Sequence, residues 1–201
     1  MTTARDLTLV ALDAAPGRTV EQGDLSLALA GAEVIDLGGA GALTLDGDRI
    51  VPGPPARTGD RLLDEAAAAL VREEPFETVE DWLWRRGREL AATYVDEAEG
   101  VEPGSRGRRR RTPLLSGRGK AADPVARDRA EGRRASGEPV LAVLAAAAGA
   151  ADEKPDAGRD ITDDTVSTVL AAVGDAVMEL EAVRQRRAIE DAAFDNIWRG
   201  F

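Results

Sequence analysis

The chain has 201 residues, 37 of them alanine, and contains neither cysteine nor histidine. Its 26 basic residues, all arginine except Lys120 and Lys154, stand against 37 acidic ones and leave a net charge of -11. Disulfides, thiolate metal sites, cysteine nucleophiles and every serine–histidine–aspartate arrangement are therefore excluded, and a binding or scaffolding role gains weight.

The first apolar periodicity lies in Thr3 to Asp13, at Leu7, Leu9, Val10 and Leu12, and Pro16-Gly17 breaks it. A second helix is expected from Glu21 to Leu37, with Leu25, Ala28, Leu29, Ala32 and Ile35 on one face and Gly38-Gly39 as its stop. The stretch ALTLDGDRIV then alternates apolar and polar residues around Asp46-Gly47, which predicts a β-hairpin of about four residues per strand. Two helices followed by a hairpin is the order of winged-helix-like modules. Thr58-Gly59-Asp60 caps a third helix, expected from Arg61 to about Glu73, where Pro75 follows. Thr78 and Asp81 form a capping-box-like start for a fourth, expected to run unbroken from Val79 to Glu97.

Gly100 to Ala122 has no periodicity and reads as an irregular insert. Asp123-Pro124 opens a short basic helix to Ala135. Glu138-Pro139 opens another, apolar on nearly all sides and so expected to be central. Residues 150–161 form an acidic linker, and a long helix follows from Thr162 with a stripe at Val166, Val169, Val173, Val177, Leu180 and Val183. Gly174 or the Arg184–Arg187 stretch is a place for it to bend. Its terminal Phe194, Ile197, Trp198 and Phe201 are expected to plug into the core. The fold class is thus mainly α: a helical bundle with a small hairpin, a domain over 1–149 carrying the insert at about 103–122, and a C-terminal helix over 162–201.

The net charge hides an asymmetry. Pro103 to Arg134 holds eleven basic and three acidic residues, a local balance of +8 that leaves -19 on the rest of the chain. Such a belt attracts polyanions locally, because exposed charges act over roughly 10 Å at moderate salt. A solvated loop is the competing reading of the same residues.

The stretch TGDRLLDEAAAALVREEPFETVEDWL, from Thr58 to Leu83, resembles the Golgi phosphoprotein 3 family. Thr58, Gly59, Asp60, Leu62, Leu63, Asp64, Glu65 and Ala66 match its first motif, and Glu77, Thr78, Val79, Trp82 and Leu83 its second. The resemblance covers about residues 4–100, is weak from 101 to 135, and returns around Glu138 to Ala148. The chain looks like a bacterial-type member, without eukaryotic sorting features. The resemblance implies a non-enzymatic, cytoplasmic adaptor that lies peripherally on a membrane, such as the inner face of the cell membrane, by reading an anionic phospholipid headgroup, chiefly phosphatidylinositol 4-phosphate. It implies protein clients, which in eukaryotes are glycosyltransferase tails. It also implies self-association into a homo-oligomer through a hairpin in the region of Pro103 to Ala122. No cofactor and no metal is expected. The family's pocket uses a Trp before its second helix and an Arg late in that helix; Glu21 and Ala30 stand at those positions here, both departures. Its later arginine pair falls near Trp84 to Arg88.

The headgroup candidates are therefore Arg85, Arg86 and Arg88, since arginine offers an anion a planar fork of donors that lysine lacks. The basic belt adds Arg106, Arg108, Arg109, Arg110 and Arg111, each worth on the order of 1 kcal/mol near an anionic surface. The competing reading pairs the three candidates with Asp81, Glu89 and other acids. Trp82 sits on an apolar stripe and is expected in the core; Trp84, about 200° around the helix, is the membrane-interface candidate. Two other functions stay open. One is a protein–protein scaffold built on the long C-terminal helix. The other is a winged-helix-like nucleic-acid module, against which Glu21 to Leu37 offers no Arg or Lys at all. The acidic run from Asp152 to Asp164 lacks the spacing of an EF-hand.

Overall fold

The computed structural model of the protein describes residues 2–15, 17–100, 123–152, 158 and 161–199, with side chains described up to residue 191. Eight helices and one hairpin appear among them: α1 Thr3–Leu12, α2 Gln22–Gly39, β1 Leu43–Asp46, β2 Arg49–Pro52, α3 Arg61–Ala68, α4 Val79–Arg86, α5 Leu90–Ala98, α6 Pro124–Ser136, α7 Pro139–Ala147 and α8 Asp164–Arg199. The mainly helical class, the hairpin and the long C-terminal helix are as the patterning required.

The centre of the bundle is α2. From Leu25 to Val34 it is buried on every side, and α1, α3, α4, α5, α7, α8 and β1 all pack on it. No residue of α7 is exposed either, and it packs on α1, α2 and α8. Small residues make this density of helices possible. A Cβ at Gly31 would lie 2.4 Å from Val173 Cγ2 and 3.5 Å from Val169 Cγ1, so α8 is seated directly on the α2 backbone. Gly31→Ala should therefore destabilise the protein by about 1–3 kcal/mol through overpacking. Adding Val173→Ala should return part of that loss, which urea unfolding of the two single variants and the double variant will measure.

Two helix boundaries depart from expectation. The third helix stops at Ala68 rather than near Glu73. Its closing N–H, on Ala69, is shared between the Glu65 and Ala66 carbonyls, and the Ala69 carbonyl accepts from Arg85 Nη2 (3.1 Å) instead of from a further turn. The expected fourth helix is two helices, split at Gly87–Glu89. Glu89 takes a left-handed φ of 57°, and Gly87 lies where a Cβ would meet the Leu83 carbonyl at 2.5 Å and the Ser26 carbonyl at 3.4 Å. The N-terminal turn of α5 is then bonded from α2: Ser26 Oγ accepts the Ala91 N–H at 3.0 Å. Periodicity misses this break because both halves keep an apolar face toward α2.

The hairpin positions α4. Its register pairs Leu43 with Pro52 and Asp46 with Arg49, and Gly47 supplies the positive φ of 62° that a two-residue loop takes at its first position. The outer edge of β2 then binds the segment before α4, with Ile50 N–H to the Glu77 carbonyl (2.9 Å) and Val79 N–H to the Asp48 carbonyl (2.8 Å). Thr78 Oγ1 caps α4 by accepting from the Asp81 N–H at 3.1 Å.

The C-terminal helix shares the main core through Val169, Leu170, Val173 and Ala176. It runs as one helix through Gly174 and Arg184–Arg187. Thirty-six residues span roughly 54 Å at about 1.5 Å per residue. The insert at 103–122, most of the acidic linker and the side chains of Phe194, Ile197, Trp198 and Phe201 lie outside the described residues.

Candidate functional site

The sequence candidates sit at one corner, where α4 ends and α5 begins. Trp82 anchors it: the ring is fully buried and its Nε1–H donates to the Ala30 carbonyl at 3.1 Å. One turn on, Arg85 lies over the Trp82 ring, 5.2 Å from its centroid, a cation–π geometry. The same guanidinium binds Glu77, with Nε 3.0 Å from Oε2 and Nη2 2.6 Å from Oε1. Trp84 is half-buried and packs against the main core.

Arg86 turns inward. It forms a two-pronged pair with Glu33 of α2, Nε to Oε2 at 2.8 Å and Nη2 to Oε1 at 2.9 Å. Tyr94 Oη donates to the same Oε1 at 3.1 Å from α5. Glu33 is 0 % exposed, so α2, α4 and α5 are joined by one buried polar cluster. Burial pushes the Glu33 carboxyl above its ordinary range, with the Arg86 bonds working against that rise. Desolvation also opposes the charge on Arg86, but the Glu33 bonds outweigh it and hold its pKa above the usual arginine value. Tyr94 is pushed up by burial and then by the Glu33 charge, which keeps its phenol protonated and donating.

Arg88 differs from both neighbours. It lies in the exposed corner between the helices and has no hydrogen-bond or ion-pair partner among the described residues. The three candidate arginines are thus adjacent in the chain but meet different surroundings: Arg85 on a surface pair, Arg86 in the interior, Arg88 in solvent. Neither described pair uses Asp81 or Glu89, the acids nearest in sequence. Arg106 and Arg108 to Arg111 lie outside the described residues.

Of the two departures from the family pattern, Glu21 is exposed at the start of α2, whereas Ala30 is 0 % exposed and its carbonyl is already used by Trp82. Sequence reasoning missed Glu33. Its signal was present, since Leu25, Leu29, Glu33 and Leu37 recur every four residues and a carboxylate on that apolar line needs a buried cation. Asp6 is a second case, buried in α1 and held by Arg129 (2.9 Å) and Arg133 (2.6 Å) of α6.

Among the described residues no cluster of three or more acidic side chains is arranged to hold a metal ion, and no helix is long and apolar enough to cross a membrane. One cleft lies away from the corner, between α1, α6 and α7, and a second, between α1, α5 and α6, is lined in part by Tyr94 of the buried cluster. A family model described as Golgi phosphoprotein 3 (GPP34) matches residues 4–192 of the chain. No curated protein and no solved structure matches it.

Proposed function

The chain belongs to the Golgi phosphoprotein 3 family, and from that premise we propose that it is a non-enzymatic adaptor that attaches peripherally to anionic membrane surfaces. The observation that carries this reading is the exposed Arg88 at the α4–α5 corner, three residues after Arg85, with no hydrogen-bond or ion-pair partner among the described residues. Arg85 is 45 % exposed but its partner Glu77 only 9 %, so turning Arg85 to a phosphate leaves a nearly buried carboxylate behind, and Arg88 is the primary contact. The belt of Arg106 and Arg108 to Arg111 adds nonspecific attraction. With Glu21 and Ala30 at the family's pocket positions, attachment is a property of locally clustered arginines on a chain of net charge -11 rather than of one inositol phosphate.

Vesicle flotation tests this. The protein should float with vesicles containing anionic phospholipid at low salt, lose most of that binding at moderate salt, and ignore neutral vesicles. Arg85→Glu with Arg88→Glu should weaken binding at least about tenfold, given on the order of 1 kcal/mol for each basic residue at an anionic surface. Equal binding to neutral vesicles, or no loss in the double variant, contradicts the reading. A protein that never floats but has a solution mass above that of a monomer would instead be a scaffold. That reading draws on α8, where residues 185–191 are all exposed and Ile189 is 69 % exposed.

A further inference from the structure

The cleft between α1, α6 and α7 has a volume of about 300 Å³, at the lower end of the range for small-molecule sites. Its floor is apolar, made by Leu9 and Val10 of α1 and Leu141 and Ala145 of α7. These residues offer water almost no hydrogen-bond partners. Its rim carries three guanidiniums, Arg18, Arg127 and Arg134.

Each of these arginines has an acid beside it, and in each pair the acid is the more exposed member. The contrast is greatest at Arg18, which is 29 % exposed against 90 % for Asp152, its partner at 2.6 Å. Arg127 lies 2.9 Å from Asp13, yet its Nε–H is buried and makes no hydrogen bond, because the carboxylate is out of line. At Arg18 the guanidinium is thus the inner member of its pair, while the Arg127–Asp13 and Arg134–Glu131 pairs are nearly level, at 40 % against 47 % and 52 % against 55 %. The rim has donors to offer an anion, and the pairs that occupy them now are the weak, solvent-screened kind.

We propose that this cleft binds a single-chain anionic amphiphile, with its acyl tail on Leu9, Val10, Leu141 and Ala145 and its carboxylate or phosphate head on Arg18 and Arg127. The two surfaces call for one molecule bearing both an apolar tail and a charged head. An inorganic anion would leave the floor wet, and a neutral alkane would make no use of the guanidiniums at the rim. The site uses none of the α4–α5 residues and takes a free monomeric amphiphile rather than a bilayer, so it stands or falls apart from membrane attachment.

Titration calorimetry on the full chain tests it, with butanoate, hexanoate, octanoate, octyl phosphate and octyltrimethylammonium as probes below their micelle concentrations. Affinity should rise about fourfold per added methylene until the floor is covered. Octyltrimethylammonium should not bind, and the tighter of octanoate and octyl phosphate identifies the head. Arg18→Gln with Arg127→Gln changes only partly exposed side chains and should weaken octanoate at least about tenfold while circular dichroism and melting stay those of the parent. Three results would each overturn the proposal: no binding of either octyl anion up to about 1 mM, equal binding of the octyl cation, or octanoate affinity unchanged in the double variant.

Discussion

Arg86→Leu is expected to destabilise the protein by about 3–5 kcal/mol, because it leaves the fully buried Glu33 carboxylate without its cation. Glu33→Leu combined with Arg86→Leu should recover most of that loss, since an apolar pair in place of a buried ion pair is often neutral or better. The remainder belongs to Tyr94, whose buried hydroxyl then has no acceptor; Tyr94→Phe in the same background should remove it. Chemical denaturation of the single, double and triple variants checks the order. The same set separates structure from function. If Arg86 touches lipid, the refolded double variant loses flotation; if it serves only the interior, the double variant floats like the parent.

The pH dependence has a definite sign. In Arg86→Leu the bonds and charge of Arg86, which lower the Glu33 pKa, are gone; burial, the largest influence, and the Asp36 charge still raise it, and only the Tyr94 hydroxyl bond still works against them. Its unfolded value is about 4.3. A carboxyl raised in this way binds its proton more tightly in the folded state. The penalty is absent where both states are protonated and grows as pH rises through and above the ordinary carboxylate range. The stability gap between Arg86→Leu and the parent should therefore narrow as pH falls from 7 toward about 4. The double variant, with no carboxyl at position 33, should show no such narrowing.

What the sequence disclosed follows from what each pattern encodes. Helix starts were legible because a cap is local: Asp60 and Thr78 declare α3 and α4 within three residues, and the structure has both accepting backbone N–H groups there. The break at Gly87–Glu89 was not, because it is set by the approach of α2, some sixty residues earlier in the chain. The sequence reading puts the candidate arginines on one continuous helix, whereas Arg85 and Arg86 close α4 and Arg88 falls in the break before α5. Their environments could not be read, because Arg86 and Arg85 choose Glu33 and Glu77, one of them from a different helix. The apolar stripe of α8 was visible as far as Val183, and the core uses it mainly between Val169 and Ala176.

Ala30→Arg, which would place the family's arginine back on the second helix, should abolish cooperative folding. Position 30 is fully buried on a face that receives Trp82, and the guanidinium would meet no carboxylate there, since Glu33 is already taken by Arg86. An unpaired buried charge and the added volume together cost several kcal/mol, a large share of the roughly 5–15 kcal/mol that holds a domain together. Loss of a sharp thermal transition and of dispersed amide resonances is the expected result. Glu21→Trp is the contrasting change: the position is exposed, and the effect on stability should stay within about 0.5 kcal/mol. The two departures from the family pattern are thus unequal. Glu21 is a surface substitution that can be reversed at little cost, whereas Ala30 belongs to the packing of α2 against α4. A folded, stable Ala30→Arg variant that gained inositol-phosphate selectivity would mean that this face of α2 opens to solvent, and the buried seat of Trp82 argues directly against that.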